Sequence, residues 1–235
     1  MKRLLILIPA LNEEASVGGV VMEVRAVLPD TPILVVDDCS EDSTVAVARK
    51  AGADVLRLPH HLGLGGAVQA GYKLAFELGF DQVVRVDGDG QHDPREIPKM
   101  LEALDRQNCE MVIGSRFLDD YGEHSGILRA VGIAFFRAIL RPILGRPVRD
   151  PTSGFVAVNR TALALFSRSF PLEYPEIEAL VVLQRRKFRF VEVPCRMRPR
   201  RGGRTSITPV RSIYYMVHVL LGVFVNVLKF EGKRN

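Results

Sequence analysis

The chain contains no tryptophan, and only three cysteines, Cys39, Cys109 and Cys195, among 235 residues. They stand too far apart for a disulfide framework or a zinc site, so free thiols in a reducing compartment are the simpler account. No G-x-G-x-x-G follows the first apolar run, which disfavours a nicotinamide enzyme. Gly63-Leu64-Gly65-Gly66, the Gly-rich loop, lacks the Lys-Ser/Thr of a P-loop. His60, His61, His92, His124 and His218 show no metal-ligand spacing and read as structural or solvated. There is no repeat, no low-complexity tract and no linker between two domains.

Long apolar runs are missing too. A bilayer span needs about 20 mostly apolar residues, and Ile213 to Leu228 is shorter and carries His218 and Asn226. At helical spacing Arg211, Tyr215, His218, Gly222, Asn226 and Lys229 form one narrow stripe. Ile213, Val217, Leu220, Leu221, Phe224 and Leu228 form the broad opposite face. Such a helix packs on protein, on a second copy in a homo-oligomer, or in a membrane surface with Lys229, Lys233 and Arg234 near anionic headgroups. At the other end, Leu4 to Ile8 is short, Glu13 and Glu14 follow Pro9, and no small-residue cleavage site appears. This reads as a buried strand, not a secretion signal, and the chain is expected to stay on the cytosolic side.

What is present is a globular composition, 47% hydrophobic with a net charge of +5. That is enough for one sizeable core and favours anionic partners. Arg3–Ile8, Ile33–Val36, Asp54–Leu58, Gln82–Val86 and Met111–Ile113 read as strands. Helical patterns lie between them: Val17 to Leu28, Ser40 to Lys50 capped by Ser40 or Ser43, Gly66 to Leu78, and Pro94 to Leu104. This alternation predicts an α/β fold, a mostly parallel sheet with helices on both faces. Beyond Arg116 come an expected mobile loop, Asp119 to Gly126, and an apolar helix, Ile127 to Leu140, bearing Arg129. A turn at Asp150-Pro151-Thr152-Ser153-Gly154 then leads into a short strand, followed by a helix from Tyr174 to Arg186 and a strand from Phe188 to Val193. Five arginines within Arg196 to Arg204 read as a basic loop.

The most informative segment is Asp87-Gly88-Asp89-Gly90-Gln91-His92-Asp93-Pro94. Two carboxylates one residue apart, followed by an amide, close a buried strand. These oxygens suit a hard divalent cation, Mg2+ or Mn2+, that keeps positions open for substrate phosphates. Ligands in open α/β sheets sit beyond the carboxyl ends of strands, where this cluster falls. Asp93 and Pro94 also make a good helix start, and both roles are compatible.

Pro9-Ala10-Leu11-Asn12-Glu13-Glu14 after strand one, Val36-Asp37-Asp38-Cys39-Ser40 after strand two, Gly63-Leu64-Gly65-Gly66-Ala67, the Asp87–Pro94 run and Gly114-Ser115-Arg116-Phe117 form one ordered set. The set resembles the inverting family two glycosyltransferases of GT-A type, within them the polyprenyl-phosphate mannosyl- and glucosyltransferase branch, over roughly residues 3 to 207. The resemblance implies a catalytic domain spanning 1–207 and a C-terminal apolar helix over 208–235. It implies a GDP- or UDP-linked hexose held by Pro9, Leu11, Glu13, Asp37 and Asp38, with Asp87 and Gly88. The metal would lie among Asp87, Asp89 and Gln91. Asp89, Arg116 and Arg129 would serve catalysis, the two arginines handling an acceptor phosphate. Arg200, Gly203 and Ser206 correspond to a late arginine-glycine-serine signature that closes over the donor.

A hydroxyl acceptor needs a general base, commonly the acid of a Glu-Asp pair, and none follows Asp150. A phosphate acceptor is already ionised and needs arginines to position it. The expected reaction is therefore transfer to a polyprenyl phosphate at the cytosolic membrane face. Asp150, Glu176 and Glu178 keep a hydroxyl acceptor open as the alternative. A basic nucleic-acid or membrane-binding module would leave the acidic motifs unexplained, so nucleic acid is not an expected partner.

Overall fold

The computed structural model describes residues 2–118 and 137–199. Seven strands form one sheet in the order β3-β2-β1-β4-β6-β5-β7. They are β1 (Leu4–Ala10), β2 (Ile33–Asp37), β3 (Asp54–Arg57), β4 (Gln82–Arg85), β5 (Met111–Ser115), β6 (Val156–Asn159) and β7 (Phe190–Pro194). β1 pairs in parallel with both β2 and β4, and β5 with β7. β6 is antiparallel to both its neighbours, so all other strands share one direction. The helices are α1 (Val17–Val27), α2 (Thr44–Lys50), α3 (Gly63–Glu77), α4 (Ile97–Arg106), α5 (Arg160–Arg168) and α6 (Pro175–Arg185). Residues 137–144 are also helical.

Period-two alternation divides the strands between two cores. Leu5, Leu7, Leu34, Val36, Val83 and Val158 face the layer that holds α3, α5 and α6. Ile6, Ile8, Ile33, Val35, Val84 and Ala157 face the layer that holds α1 and α4. In the first layer Tyr72 of α3 stacks on Phe166 at 5.7 Å, and Phe170 meets both rings edge-on. Such pairs add roughly 0.5–1.5 kcal/mol each beyond the area they bury. Gly71 lets α3 approach β1, because a Cβ there would lie 2.3 Å from Leu7 Cδ1.

The expected strands and the parallel sheet are present, with shifts at element ends. The second helix starts at Thr44, not Ser40. Asp42 accepts the Thr44 N–H at 2.9 Å, and Ser43 makes no side-chain cap. Residues 40–43 instead tie to the loop after β1, where Asn12 N–H donates to Ser40 Oγ and Ser43 N–H to Glu14 Oε2. The third helix starts at Gly63. Asp93 does cap, its carboxylate accepting the Arg95 N–H, but it opens a 3-10 turn (Pro94–Glu96) that precedes α4. Helix α5 was not anticipated. Its N-cap is Asn159, whose Oδ1 accepts the Ala162 N–H at 3.0 Å. The 119–126 loop, most of the 127–140 helix and the 208–235 helix lie outside the described residues. Among the described residues no helix is long and apolar enough to cross a membrane.

Candidate active site at the carboxyl ends of the central strands

β1 lies between β2 and β4, so the loops leaving these three parallel strands converge. They enclose, with the start of α3, a cleft of about 330 Å³ lined by Pro9, Ala10, Leu11, Glu13, Asp38, His61, Leu64, Ala67, Asp87, Gly88 and Asp89. Seven of the residues expected from sequence at a nucleotide or metal, Asp89 among them, thus meet around one cavity. Pro9, Leu11, Leu64 and Ala67 give it an apolar wall; Glu13, Asp38, Asp87 and Asp89 give it an acidic one.

Each acidic side chain is held in place. The Glu13 carboxylate accepts Ser16 Oγ–H at 2.6 Å, and its backbone N–H donates to Thr44 Oγ1. Asp38 accepts the Leu62 N–H at 2.7 Å on Oδ1 and lies 2.8 Å from His61 Nδ1 through Oδ2. Asp89 Oδ1 accepts the Gln91 N–H at 3.0 Å, which closes the turn containing Gly90 at φ 78°. Asp37 does not line the cleft. It is fully buried below it, with Oδ2 accepting the Ser40 N–H at 3.3 Å and Oδ1 without a hydrogen-bond partner.

Asp87 is anchored from beneath by a residue that the sequence reading passed over. Arg85 is buried in β4 and places Nε and Nη2 each 3.1 Å from Asp87 Oδ1, with Nη2 2.9 Å from Glu176 of α6. Burial disfavours the Asp87 anion, but the charge and hydrogen bond of Arg85, with the charge of Arg116, outweigh it and hold the carboxyl below its ordinary range. His92 is buried and stacks on Phe155 at 4.8 Å, and burial pulls its pKa down to about 4. Its Nδ1 accepts the Asp87 N–H at 3.0 Å, so the neutral ring carries its proton on Nε2, facing Asp87 Oδ2 at 3.7 Å. The period-two pattern of Val83, Arg85 and Asp87 could have revealed the pair, since it puts all three on one face.

Arg116, at the end of β5, is held by Asp150. Nε and Nη2 donate to the two carboxylate oxygens at 2.8 and 2.7 Å, and the Arg116 N–H donates to Oδ2. Asp150 is fully buried, so its carboxylate is committed to this pair. Glu176 is committed to Arg85, and Glu178 is buried. Arg129, Arg200, Gly203 and Ser206 lie outside the described residues. The start of the basic segment is visible, however: Arg198 N–H donates to the Gln91 carbonyl, and its guanidinium bridges Asp93 and Glu23.

The donor set suits a hard divalent ion. Asp87 and Asp89 present carboxylates to the same cleft, and among the described residues no three His, Cys, Asp or Glu side chains converge as a closed metal cage. An ion here would take the rest of its shell from phosphate and water, as Mg2+ sites commonly do.

Comparison with known proteins agrees with this layout. The chain is 30% identical over 213 residues to the UDP-N-acetylglucosamine–dolichyl-phosphate N-acetylglucosaminyltransferase of Methanococcus voltae, covering 82% of this chain and 84% of that protein. It is 32% identical over 169 residues to the polyprenol monophosphomannose synthase of Mycolicibacterium smegmatis, covering 69% of this chain and 63% of that protein. The fold matches glucosyl-3-phosphoglycerate synthase from Mycobacterium tuberculosis with a TM-score of 0.71 at 23% identity, over 96% of this chain and 80% of that one; that enzyme was crystallised with Mn2+, UDP and glucosyl-3-phosphoglycerate. The family model of the family 2 glycosyl transferases matches residues 5–166, and with a GT-A sheet and an acidic cleft at its strand ends this chain belongs to that family of glycosyltransferases.

Proposed function

We propose that the protein transfers a hexose, with inversion, from a GDP- or UDP-linked donor to a polyprenyl phosphate, working peripherally at the cytosolic face of a membrane. The observation that carries the choice of acceptor is the state of the candidate bases. Asp150 is fully buried against Arg116, and Glu176 is paired with Arg85. A hydroxyl nucleophile would need one of these acids free to take its proton, whereas a phosphate arrives ionised. The names of the similar archaeal and mycobacterial proteins support the same acceptor class.

In this reading Pro9, Leu11 and Leu64 pack against the base, while Glu13 and Asp38 accept hydrogen bonds from base and ribose hydroxyls. Asp89 and Asp87, with Gln91 beside them, would hold Mg2+ or Mn2+, which when bound neutralises charge developing on the leaving diphosphate. Arg116 is kept in register by Asp150 and supplies positive charge that reaches Asp87; Arg129, Arg200 and Ser206 are assigned from the family resemblance. The C-terminal 208–235 segment is assigned to membrane-surface or dimer contact.

The test is calorimetry with UDP, GDP and their hexose conjugates, with and without Mn2+, followed by transfer to purified polyprenyl phosphate. Asp89→Ala is expected to abolish cation-dependent donor binding while leaving the circular dichroism unchanged. Transfer only to hydroxyl acceptors would remove the lipid assignment, and near-normal turnover by folded Asp89→Ala would remove the metal role.

A further inference from the structure

The β7 edge of the sheet is strongly cationic. Residues 137–149 contain Arg137, Arg141, Arg146 and Arg149 and no acidic residue, and Lys187 and Arg189 lead into β7. The structure brings these two stretches together. Arg149 N–H donates to Glu192 at 2.8 Å, the Arg146 guanidinium lies 4.1 Å from the centre of the Phe190 ring, and Arg137 Nε donates to the Arg149 carbonyl at 2.7 Å. Arg141, Arg149, Lys187 and Arg189 are exposed. Burial lowers the basicity of Arg146; the Glu192 charge opposes this, and the charge of nearby Arg189 adds to it.

Among the described residues two carboxylates make contacts at this edge, against six cationic side chains, and both accept backbone N–H groups: Glu192 from Arg149 and Asp150, Glu110 from Arg189. A solvated surface ordinarily mixes both signs. A cluster of one sign works against its own fold unless an anionic partner compensates it. The partner's chemistry follows from position and from what accompanies the arginines. The segment runs directly into Asp150, whose carboxylate holds Arg116 beside the cleft. The ring next to the patch, Phe190, is buried beneath Arg146, which leaves it unable to stack a nucleic-acid base.

We infer that this edge docks on an anionic bilayer, its exposed arginines engaging lipid phosphates, so that the Arg116–Asp150 corner faces the headgroup layer. The inference rests on the lipid-phosphate reading of the acceptor and adds a surface to it, independent of the C-terminal segment.

The test uses the full chain and phosphatidylcholine vesicles with and without phosphatidylglycerol, sedimented at low and high salt. A triple variant, Arg141→Glu, Arg149→Glu and Arg189→Glu, leaves the packed Arg137 and Arg146 in place. The wild type is expected to bind the anionic vesicles preferentially and to release them in salt. The triple variant should bind them roughly tenfold or more weakly, with unchanged thermal stability and unchanged donor binding by calorimetry. Equal vesicle binding by the two proteins, equal binding to both lipid compositions, or tighter binding of a single-stranded oligonucleotide lost in the variant would each overturn the assignment. Transfer to detergent-solubilised polyprenyl phosphate separates the two ideas: intact transfer without vesicle binding refutes the docking surface alone, and charge-dependent docking without transfer refutes the acceptor alone.

Discussion

Arg85 reaches Asp87 from inside the protein: two guanidinium nitrogens lie 3.1 Å from Asp87 Oδ1, and one of them lies 2.9 Å from Glu176. The carboxylate at the mouth of the cleft is thereby tied through the first turn of α6 to the helical layer behind the sheet. Only one of its oxygens is taken by Arg85; the other lies 3.7 Å from His92 Nε2, and the residue lines the cleft.

Arg85→Met is expected to destabilise the protein by about 3 kcal/mol or more, since it strands two partly buried carboxylates without their common cation. Arg85→Lys should recover part of that loss, a point charge replacing only one arm of the fork. Urea denaturation of the three proteins checks the order. Donor affinity measured on the folded fraction should fall in Met and recover in Lys; a loss of stability with unaltered donor affinity would make Arg85 merely structural.

Asp150→Asn distinguishes a committed ion-pair partner from a general base. The carboxylate accepts the Arg116 side chain twice and its backbone N–H once. Replacing it leaves a guanidinium half-satisfied, at about 2–4 kcal/mol. The expected result is a lower denaturation midpoint with the pH dependence of kcat unchanged in shape. Disappearance of a basic limb from that profile, with stability intact, would reinstate Asp150 as the base.

Most of the sheet was legible because its strands are buried on both faces and read as continuous apolar runs, Leu4–Ala10 and Ile33–Asp37 most clearly. The acidic loops were legible because they follow those strands immediately. Helix α5 was not, since it is short and its polar residues Arg160, Thr161, Ser167 and Arg168 dilute the apolar signal. The start of α2 was misplaced because Ser40, Asp42 and Ser43 all have capping chemistry, and tertiary contacts with the β1 loop decided among them. Arg85 escaped notice because a charged residue in a strand core is uncommon, and its second partner, Glu176, lies far along the chain.

Gly154 packs against the same ion cluster. A Cβ at this position would lie 2.7 Å from Arg85 Nη2 and 2.8 Å from Asp87 Oδ2. Gly154→Ala is therefore expected to cost about 1–3 kcal/mol and to weaken donor binding by displacing Asp87. The two effects should be non-additive with Arg85→Met, because that variant already frees the space. A double-mutant cycle in urea measures the coupling, and strict additivity would show that the alanine is accommodated elsewhere.

Cys195 sets a limit on alkaline stability. It lies at the C-terminal end of β7 with no exposed surface, where burial pushes its thiol up from 9.0 to about 12 against the charge of nearby Lys99. In the unfolded chain the same thiol ionises near pH 9, so above that pH the unfolded state has released a proton that the folded state keeps. Stability from this group is fully present below pH 9 and falls as pH rises toward 12, by at most about 1.4 kcal/mol per unit. Cys195→Ala removes this slope while imposing a pH-independent packing loss. Urea denaturation at about pH 8 and about pH 10 should show the wild type losing roughly 1 kcal/mol more than the variant; equal losses would place the alkaline sensitivity in another group.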